Sequence, residues 1–184
     1  MVYMQSGEID LVAGHYLTDI RRKNWLVSEP LLSDDIRVIY NKGSLKVTSL
    51  TDLKGLRGSA PRGASYGRDI DEFIESTKKK NAFVETDYSP ALFSLILTDR
   101  VDYAFISNID AIEQIKRKKL QDIIEISASL HLNTIHISFS KNSACSTFYQ
   151  DFEALLTEYK SNGTIDKLLN KYHVPTPQNS YAHK

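Results

Sequence analysis

With 184 residues, 41% of them apolar and 25% charged, the chain has the make-up of a soluble globular protein long enough to bury a sizeable core. Lys plus Arg and Asp plus Glu number 23 each, so no bulk field favours nucleic acid or an anionic membrane. Five His without ligand spacing and a single Cys exclude a metal-binding motif and an internal disulfide.

In chain order, MVYMQSGEID has neither the basic flank nor the apolar core of ~7–15 residues that marks a secretory signal. No later apolar run approaches the ~20 residues of a membrane span. The stretch GEIDLVAGHYLTDIRRKNWLVSEP, residues 7–30, then reads as a strand from Ile9 to Ala13. It alternates too little for a half-exposed strand and suits a parallel strand buried on both faces. A polar turn holding Thr18 and Arg21 follows, with an exit ending at Pro30. An Arg fork at the mouth of a strand can grip a carboxylate through two parallel bonds, and such mouths are where open α/β sheets bind ligands. From spacing alone, Arg21 reads either as that grip or as a surface Arg in a turn. His15 and Tyr16 read either as stacking partners for a ligand or as rim aromatics packed on the exit segment. Arg22 and Lys23 read as solvated neighbours.

Ile36, Val38 and Tyr40 alternate as a strand ending at Asn41-Lys42-Gly43. Residues 49–58 give a short helical turn with Leu50 and Leu53 inward, and a short strand over 56–60 leads into PRGASYG, residues 61–67. That loop is rich in residues that let backbone approach a ligand, but it lacks the Gly-Lys-Ser/Thr ending of a phosphate-binding loop. Arg62 is either a second anion contact or a solvated loop residue. A helix over 66–79 carries Ile70, Phe73, Ile74 and Thr77 on one face, with lysines 78–80 complementing its dipole in solvent.

A strand over 82–86 and a helix capped by Ser89-Pro90, with Leu92, Leu95 and Ile96 inward, come next. A strand over 101–106 leads to a helix capped by Asn108 and running to Lys118, whose Lys116 to Lys119 run is a solvated end. Strands are expected around 123–126 and 134–139. His131 and His136 lie in a strand-like stretch, five apart and therefore on opposite faces, so no shared metal site is expected. Strands alternating with helices over 56–126 predict a mostly parallel α/β sheet. Phe148, Phe152, Leu155, Leu156 and Tyr159 follow helical spacing up to Asn162-Gly163. Ile165, Leu168, Leu169 and Tyr172 make a second helix before Val174-Pro175 and a polar tail. Cys145 reads as a small turn residue beside a helix start. No Ser-His-Asp or paired-carboxylate arrangement can be read from spacing.

Four blocks in order resemble the periplasmic solute-binding proteins of amino-acid ABC transporters, solute-binding protein family 3. They are GEIDLVAGHYLTDIR with VSEP, SLTDLKGLRGSAPRGASYG, LILTDRVDYAFISN, and FEALLTEYKSNGTIDKLLNKYHV. Together they run from residue 7 to about 174. The resemblance implies an α/β, two-lobed, type II periplasmic-binding-protein-like fold with the second lobe complete and the first truncated. The first lobe would take residues 1–32, the second 33–139, and the helices of 140–184 would return to the first.

It also implies a solute receptor rather than an enzyme, needing no cofactor, closing on an amino acid or other small carboxylate. In a complete protein that receptor would be periplasmic and serve a membrane permease or a sensor. Arg21 matches the family residue that holds the α-carboxylate, and Thr18 the Thr three before it. Ser28 and Pro30 fix that register over Arg22. Gly63, Ala64 and Ser65 match the loop that offers backbone N–H and a hydroxyl to the same carboxylate.

Two departures follow. Where amino-acid binders of the family place an acidic partner for the ligand ammonium, this chain has Ser107. A neutral Ser does not offset the desolvation of an ammonium ion. The alternatives are a ligand without an α-amino group or an approach by Asp110. The family's N-terminal segment has no counterpart here, which leaves a partial first lobe with apolar edges and makes a swapped dimer an available arrangement. Competing readings are an enzyme on the same fold, like the family's cyclohexadienyl dehydratase relatives with Asp110 or His15 as the acid–base group, and a remnant that binds nothing.

Overall fold

The computed structural model describes residues 2–172. In order the elements are α1 (Val2–Ser6), β1 (Leu11–Tyr16), α2 (Asp19–Asn24), β2 (Trp25–Val27), β3 (Leu32–Asn41), a 3₁₀ turn (Leu50–Leu53), β4 (Gly58–Pro61), α3 (Arg68–Lys78) and β5 (Phe83–Thr86). Then come α4 (Pro90–Leu97), β6 (Tyr103–Ser107), α5 (Asn108–Lys118), β7 (Ile124–Ile126), β8 (His131–Ser140), a 3₁₀ turn (Ala144–Phe148), α6 (Tyr149–Ser161) and α7 (Thr164–Lys171). The chain divides into two compact units, residues 1–34 with 133–184 and residues 35–132. It passes from the first to the second within β3 and returns within β8. The expected Val174-Pro175 stop and polar tail lie outside the described residues.

In the first unit, β8 runs between β1 and β2 and is antiparallel to both. Leu11 pairs with Phe139 and Trp25 with Ser140. The sequence expectation of a parallel strand buried on both faces fails for β1. The strand begins at Leu11, its pairing partner is β8, and Leu11 is 46% exposed. A short apolar run fits an edge strand as well as an interior one, because composition does not show how many neighbours a strand has. The register of β1 on β8 shifts between Ala13 and His15, where Gly14 takes φ +77°. This bulge needs the left-handed backbone that Gly adopts without a Cβ penalty, and it re-aims the residues after it. As a result His15 comes opposite His136.

α6 packs on this sheet through Tyr149 and Phe152, whose rings lie 5.8 and 5.3 Å from that of Phe139. The helix also holds the exit segment. Tyr149 Oη donates to Val27 O (2.7 Å), the Glu153 carboxylate accepts the Glu29 N–H (3.2 Å), and Lys160 Nζ donates to Pro30 O (2.9 Å). Of the apolar residues at helical spacing in the last two helices, Leu156 is buried, whereas Phe148, Leu155, Tyr159, Leu168 and Tyr172 are exposed. Helical spacing identifies one face, but burial depends on what that face meets. The Cys145 thiol is pushed up by burial and then by the charge of Asp10, so it stays protonated near neutrality.

In the second unit the strand order is β5-β4-β6-β3-β7. β4 is parallel to β5 and β6, as expected, but β3 is antiparallel to both β6 and β7, so the sheet is mixed. β6 is the strand buried on both faces. Tyr103 and Phe105 alternate with Ala104 and Ile106, and all four are buried. On one face Phe105 meets the rings of Tyr66 and Phe73. On the other, Ala104 and Ile106 join Leu92, Phe93, Ile96, Ala111 and Ile115 in one core. Lys78, expected to be solvated, instead bonds Glu75 (2.8 Å) and Glu85 (3.0 Å). Its long stem reaches the neighbouring strand from the end of α3.

Gly58 starts β4 where a Cβ would stand 2.5 Å from Tyr103 Cζ and 2.9 Å from Phe83 Cδ2. Both rings are held by the sheet, so relief requires backbone movement. Gly58→Ala is expected to destabilise the protein by about 1–3 kcal/mol, read as a lower urea midpoint by circular dichroism. An unchanged midpoint would mean that the rings move aside freely.

Candidate functional site

β1 ends at Tyr16, and Thr18, in extended conformation (φ −129°, ψ 158°), caps the next helix. Its Oγ1 accepts the Arg21 N–H at 3.2 Å. Thr18 and Arg21 were expected in a polar turn; the structure makes residues 19–24 a short helix with Thr18 as its N-cap. A hydroxyl that accepts the N–H three residues on is what lets a helix start there. That start folds Arg21 back over the strand end, where Nη1 donates to Tyr16 O at 2.6 Å. The guanidinium also sits 5.8 Å from the centre of the Trp25 ring. A carbonyl and an aromatic face thus fix the plane of a cationic fork, and such a fork matches a carboxylate or phosphate.

Tyr16 and His15 are engaged within the first unit. Tyr16 Oη donates to Asp34 Oδ2 at 2.8 Å. His15 places Nε2 2.8 Å from Ser138 Oγ and Nδ1 3.0 Å from Tyr16 O. Its ring meets Trp25 edge-on at 5.4 Å and stacks over His136 at 6.4 Å. Burial, then the charges of Arg21 and His136, hold the His15 imidazole below its ordinary value, so it is neutral at pH 7. His136 is buried, with Nδ1 2.8 Å from Ser28 O and Nε2 2.7 Å from Thr134 Oγ1. Ser28 Oγ accepts the Ile137 N–H at 3.1 Å. Sequence reading missed these two His–Ser links because their partners lie 123 and 108 residues apart. Arg22, read as a solvated neighbour, lines a concavity of about 480 Å³ together with Trp25, Ser28, His136, Lys141 and Tyr149.

In the second unit the loop after β4 is tied down by its own helix. The Asp71 carboxylate accepts the Ser65 hydroxyl (2.6 Å) and the Tyr66 N–H (2.8 Å). The Ala64 N–H donates to Pro61 O (3.1 Å), closing a turn in which Gly63 takes φ +70°. Gly63 and Ala64 are exposed, and Ser65 is half-buried. Arg62 meets Asp87 at 3.2 Å in an exposed ion pair.

Asn108 was expected to cap α5, but Ser107 does so, its Oγ accepting the Asp110 N–H at 3.0 Å. The Ser89 side chain likewise makes no capping bond to α4, because its backbone is already helical (φ −56°, ψ −39°). Burial raises the Tyr66 phenol well above its usual range, with the charges of Asp110 and Asp71 adding to it. Among the described residues no group of three or more His, Cys, Asp or Glu could hold a metal ion.

The sequence model of the bacterial extracellular solute-binding proteins, family 3, matches residues 1–175. The chain belongs to that family. It is 22% identical over 171 residues to the probable amino-acid-binding protein YxeM of Bacillus subtilis (strain 168), a match that takes in 92% of this chain. The chain spans 63% of the length of that relative.

Among solved structures, a histidine kinase sensor domain with similarity to periplasmic binding proteins superposes with TM-score 0.81 at 16% identity, covering 96% of this chain and 75% of the other. The amino acid ABC transporter substrate-binding protein AbpA from Streptococcus pneumoniae Canada MDR_19A, bound to L-arginine, gives TM-score 0.72 at 20% identity, covering 92% and 70%. The fold is therefore of the type II periplasmic-binding-protein kind. Among the described residues no helix is long and apolar enough to cross a membrane.

The Thr18 cap is directly testable, because the single Trp of the chain, Trp25, follows the last residue of α2. Thr18→Ala is expected to cost about 1 kcal/mol, seen as a lower urea midpoint in Trp25 fluorescence, and Thr18→Ser is expected to restore most of it. Equal midpoints for all three proteins would remove the hydroxyl from the account of how Arg21 is placed.

Proposed function

We propose that the protein captures a small carboxylate-bearing solute, an amino acid or a related acid, outside the cytoplasm, on behalf of a membrane permease or a sensor. The observation that carries this is the Arg21 fork, oriented by the Tyr16 carbonyl and the Trp25 face on a helix started by Thr18. Arg21 supplies the charged, two-bond grip, and Thr18 and Tyr16 set the backbone around it. In the second unit, Gly63, Ala64 and Ser65 are proposed as polar contacts for the solute, and so are Arg62 and Ser107. Gly63 permits close backbone approach, and the Ser65 oxygen, which donates its proton to Asp71, keeps lone pairs for a solute N–H or O–H.

Ser107 is committed to capping α5 and brings no negative charge. A solute without an α-ammonium group therefore suits that position better than a standard amino acid. A receptor role suits His15 better than acid–base catalysis, since both of its ring nitrogens already have partners.

The test is thermal melting against paired solutes, alanine with propionate and glutamate with glutarate, on the wild type and on Arg21→Ala. Ligand at about a hundred times Kd stabilises the native state by about 2.7 kcal/mol, which for a chain of this size raises Tm by about 5–10 °C. The shift is expected for carboxylates, at least as large without the amino group as with it, and lost in Arg21→Ala. A cooperative melt that no carboxylate moves, or a shift retained in Arg21→Ala, would overturn the proposal.

A further inference from the structure

We propose that the concavity beside β2 in the first unit is a second binding site, separate from the Arg21 fork, for an aromatic acid with one negative charge. The proposal does not rest on Arg21 holding a solute, because Arg21 is not among the residues that line this space. Arg21 and Arg22 are neighbours on α2, and successive side chains of a helix leave its axis about 100° apart. They serve different surfaces of the same short helix.

The space is large enough to matter. It measures about 480 Å³, and pockets that bury small organic molecules run from about 300 to about 1,000 Å³. Every residue of its lining belongs to the first unit. Leu17, Trp25 and Leu26 give it an apolar wall, and Trp25 is held in place by burial, with 6% of its surface exposed. A fixed indole offers a flat ligand ring a stacking or edge contact at little cost in ordering.

Most polar side chains of the lining already have partners. Tyr149 Oη donates to Val27 O, and Ser28 Oγ donates to Glu29 O at 2.7 Å. His136 has a partner at each ring nitrogen, one of them Thr134 Oγ1. Three charged groups remain. Arg22 is exposed and makes no ion pair among the described residues. Lys141 Nζ donates to Lys23 O at 2.7 Å, which pins the ammonium near the C-terminal end of α2 and leaves two of its three N–H donors for a ligand. Glu29 brings a carboxylate, on a stretch of backbone fixed by the bonds from its N–H to Glu153.

Two cations against one carboxylate leave one positive charge in excess. The open donors on Arg22 and Lys141 suit a single acid group, and a second acid group on the ligand would meet Glu29 without an offset. The apolar wall requires an apolar body, since a polar one would lose its water there without new partners. The ligand that satisfies both demands carries its carboxylate at Arg22 and Lys141 and its ring against Trp25 and Leu26. A short aliphatic acid has the charge but too little apolar area to cover that wall.

The test uses the full chain carrying Arg21→Ala, so that only this site can answer, with benzoate as the probe. Nuclear Overhauser contacts are expected from the benzoate ring protons to Leu26 and Tyr149, as in the wild type. Arg22→Gln and Lys141→Gln, each added to Arg21→Ala, are expected to raise the benzoate Kd about three- to tenfold. Benzamide, the same shape without the charge, and propionate, the charge without the ring, are both expected to bind more weakly than benzoate. If Arg21→Ala does not fold, Arg21→Gln replaces it, and if Lys141→Gln does not fold, Arg22→Gln at its exposed position decides.

Benzamide binding as tightly as benzoate would overturn the proposal, as would a benzoate Kd that neither Gln substitution moves. Benzoate contacts that vanish with Arg21→Ala would assign the acid to the Arg21 fork and remove the second site. Benzoate retained in Arg21→Ala, with no carboxylate held at Arg21 in the wild type, would leave this site standing and overturn the reading of Arg21.

Discussion

A single carbonyl oxygen, that of Tyr16, organises the first unit around its cation. The strand ends there, two residues later Thr18 starts a helix, and the first full turn of that helix returns Arg21 to the same oxygen at 2.6 Å. An Arg side chain left in water samples many rotamers, and ordering it costs entropy when a ligand arrives. Here the carbonyl and Trp25 bear part of that cost before binding. The bulge at Gly14, the paired His rings and the Ser138 contact all serve to keep the strand end in place.

The second unit obeys a different constraint. β6 is buried on both faces, so its side chains must satisfy an aromatic layer on one side and an aliphatic layer on the other. Close packing of this kind leaves polar work to the loop ends, where Asp71 fixes residues 65–66 and the Ser107 hydroxyl starts α5. Ser107 shows why a resemblance has to be read atom by atom. The position that is acidic in amino-acid binders is neutral here, and its hydroxyl is engaged with the Asp110 N–H.

Much of this was legible in the sequence, for identifiable reasons. β6 and the inward faces of α3 and α4 follow from apolar periodicity, which local side-chain geometry imposes. Thr18 and Arg21 are legible because a cap and the residue three beyond it are a local spacing. The short helix between them was not, since Asp19–Asn24 has a single apolar residue and no periodicity to detect. The Ile9 to Ala13 stretch misled because an apolar run looks the same at the edge of a sheet as inside it. The His15–Ser138 and His136–Ser28 bonds, separated by more than a hundred residues, depend on strand register, and no single-sequence pattern encodes that.

The central claim is that Arg21 holds a carboxylate as a planar fork rather than as a point charge. It is tested most directly by titrating propionate and glutarate into the wild type and Arg21→Lys, with Trp25 fluorescence as the readout. The account predicts that Arg21→Lys, although still cationic, loses about tenfold or more in affinity, because an ammonium cannot make two parallel bonds while resting on the Tyr16 carbonyl and the Trp25 face. Equal affinity in the two proteins would contradict it.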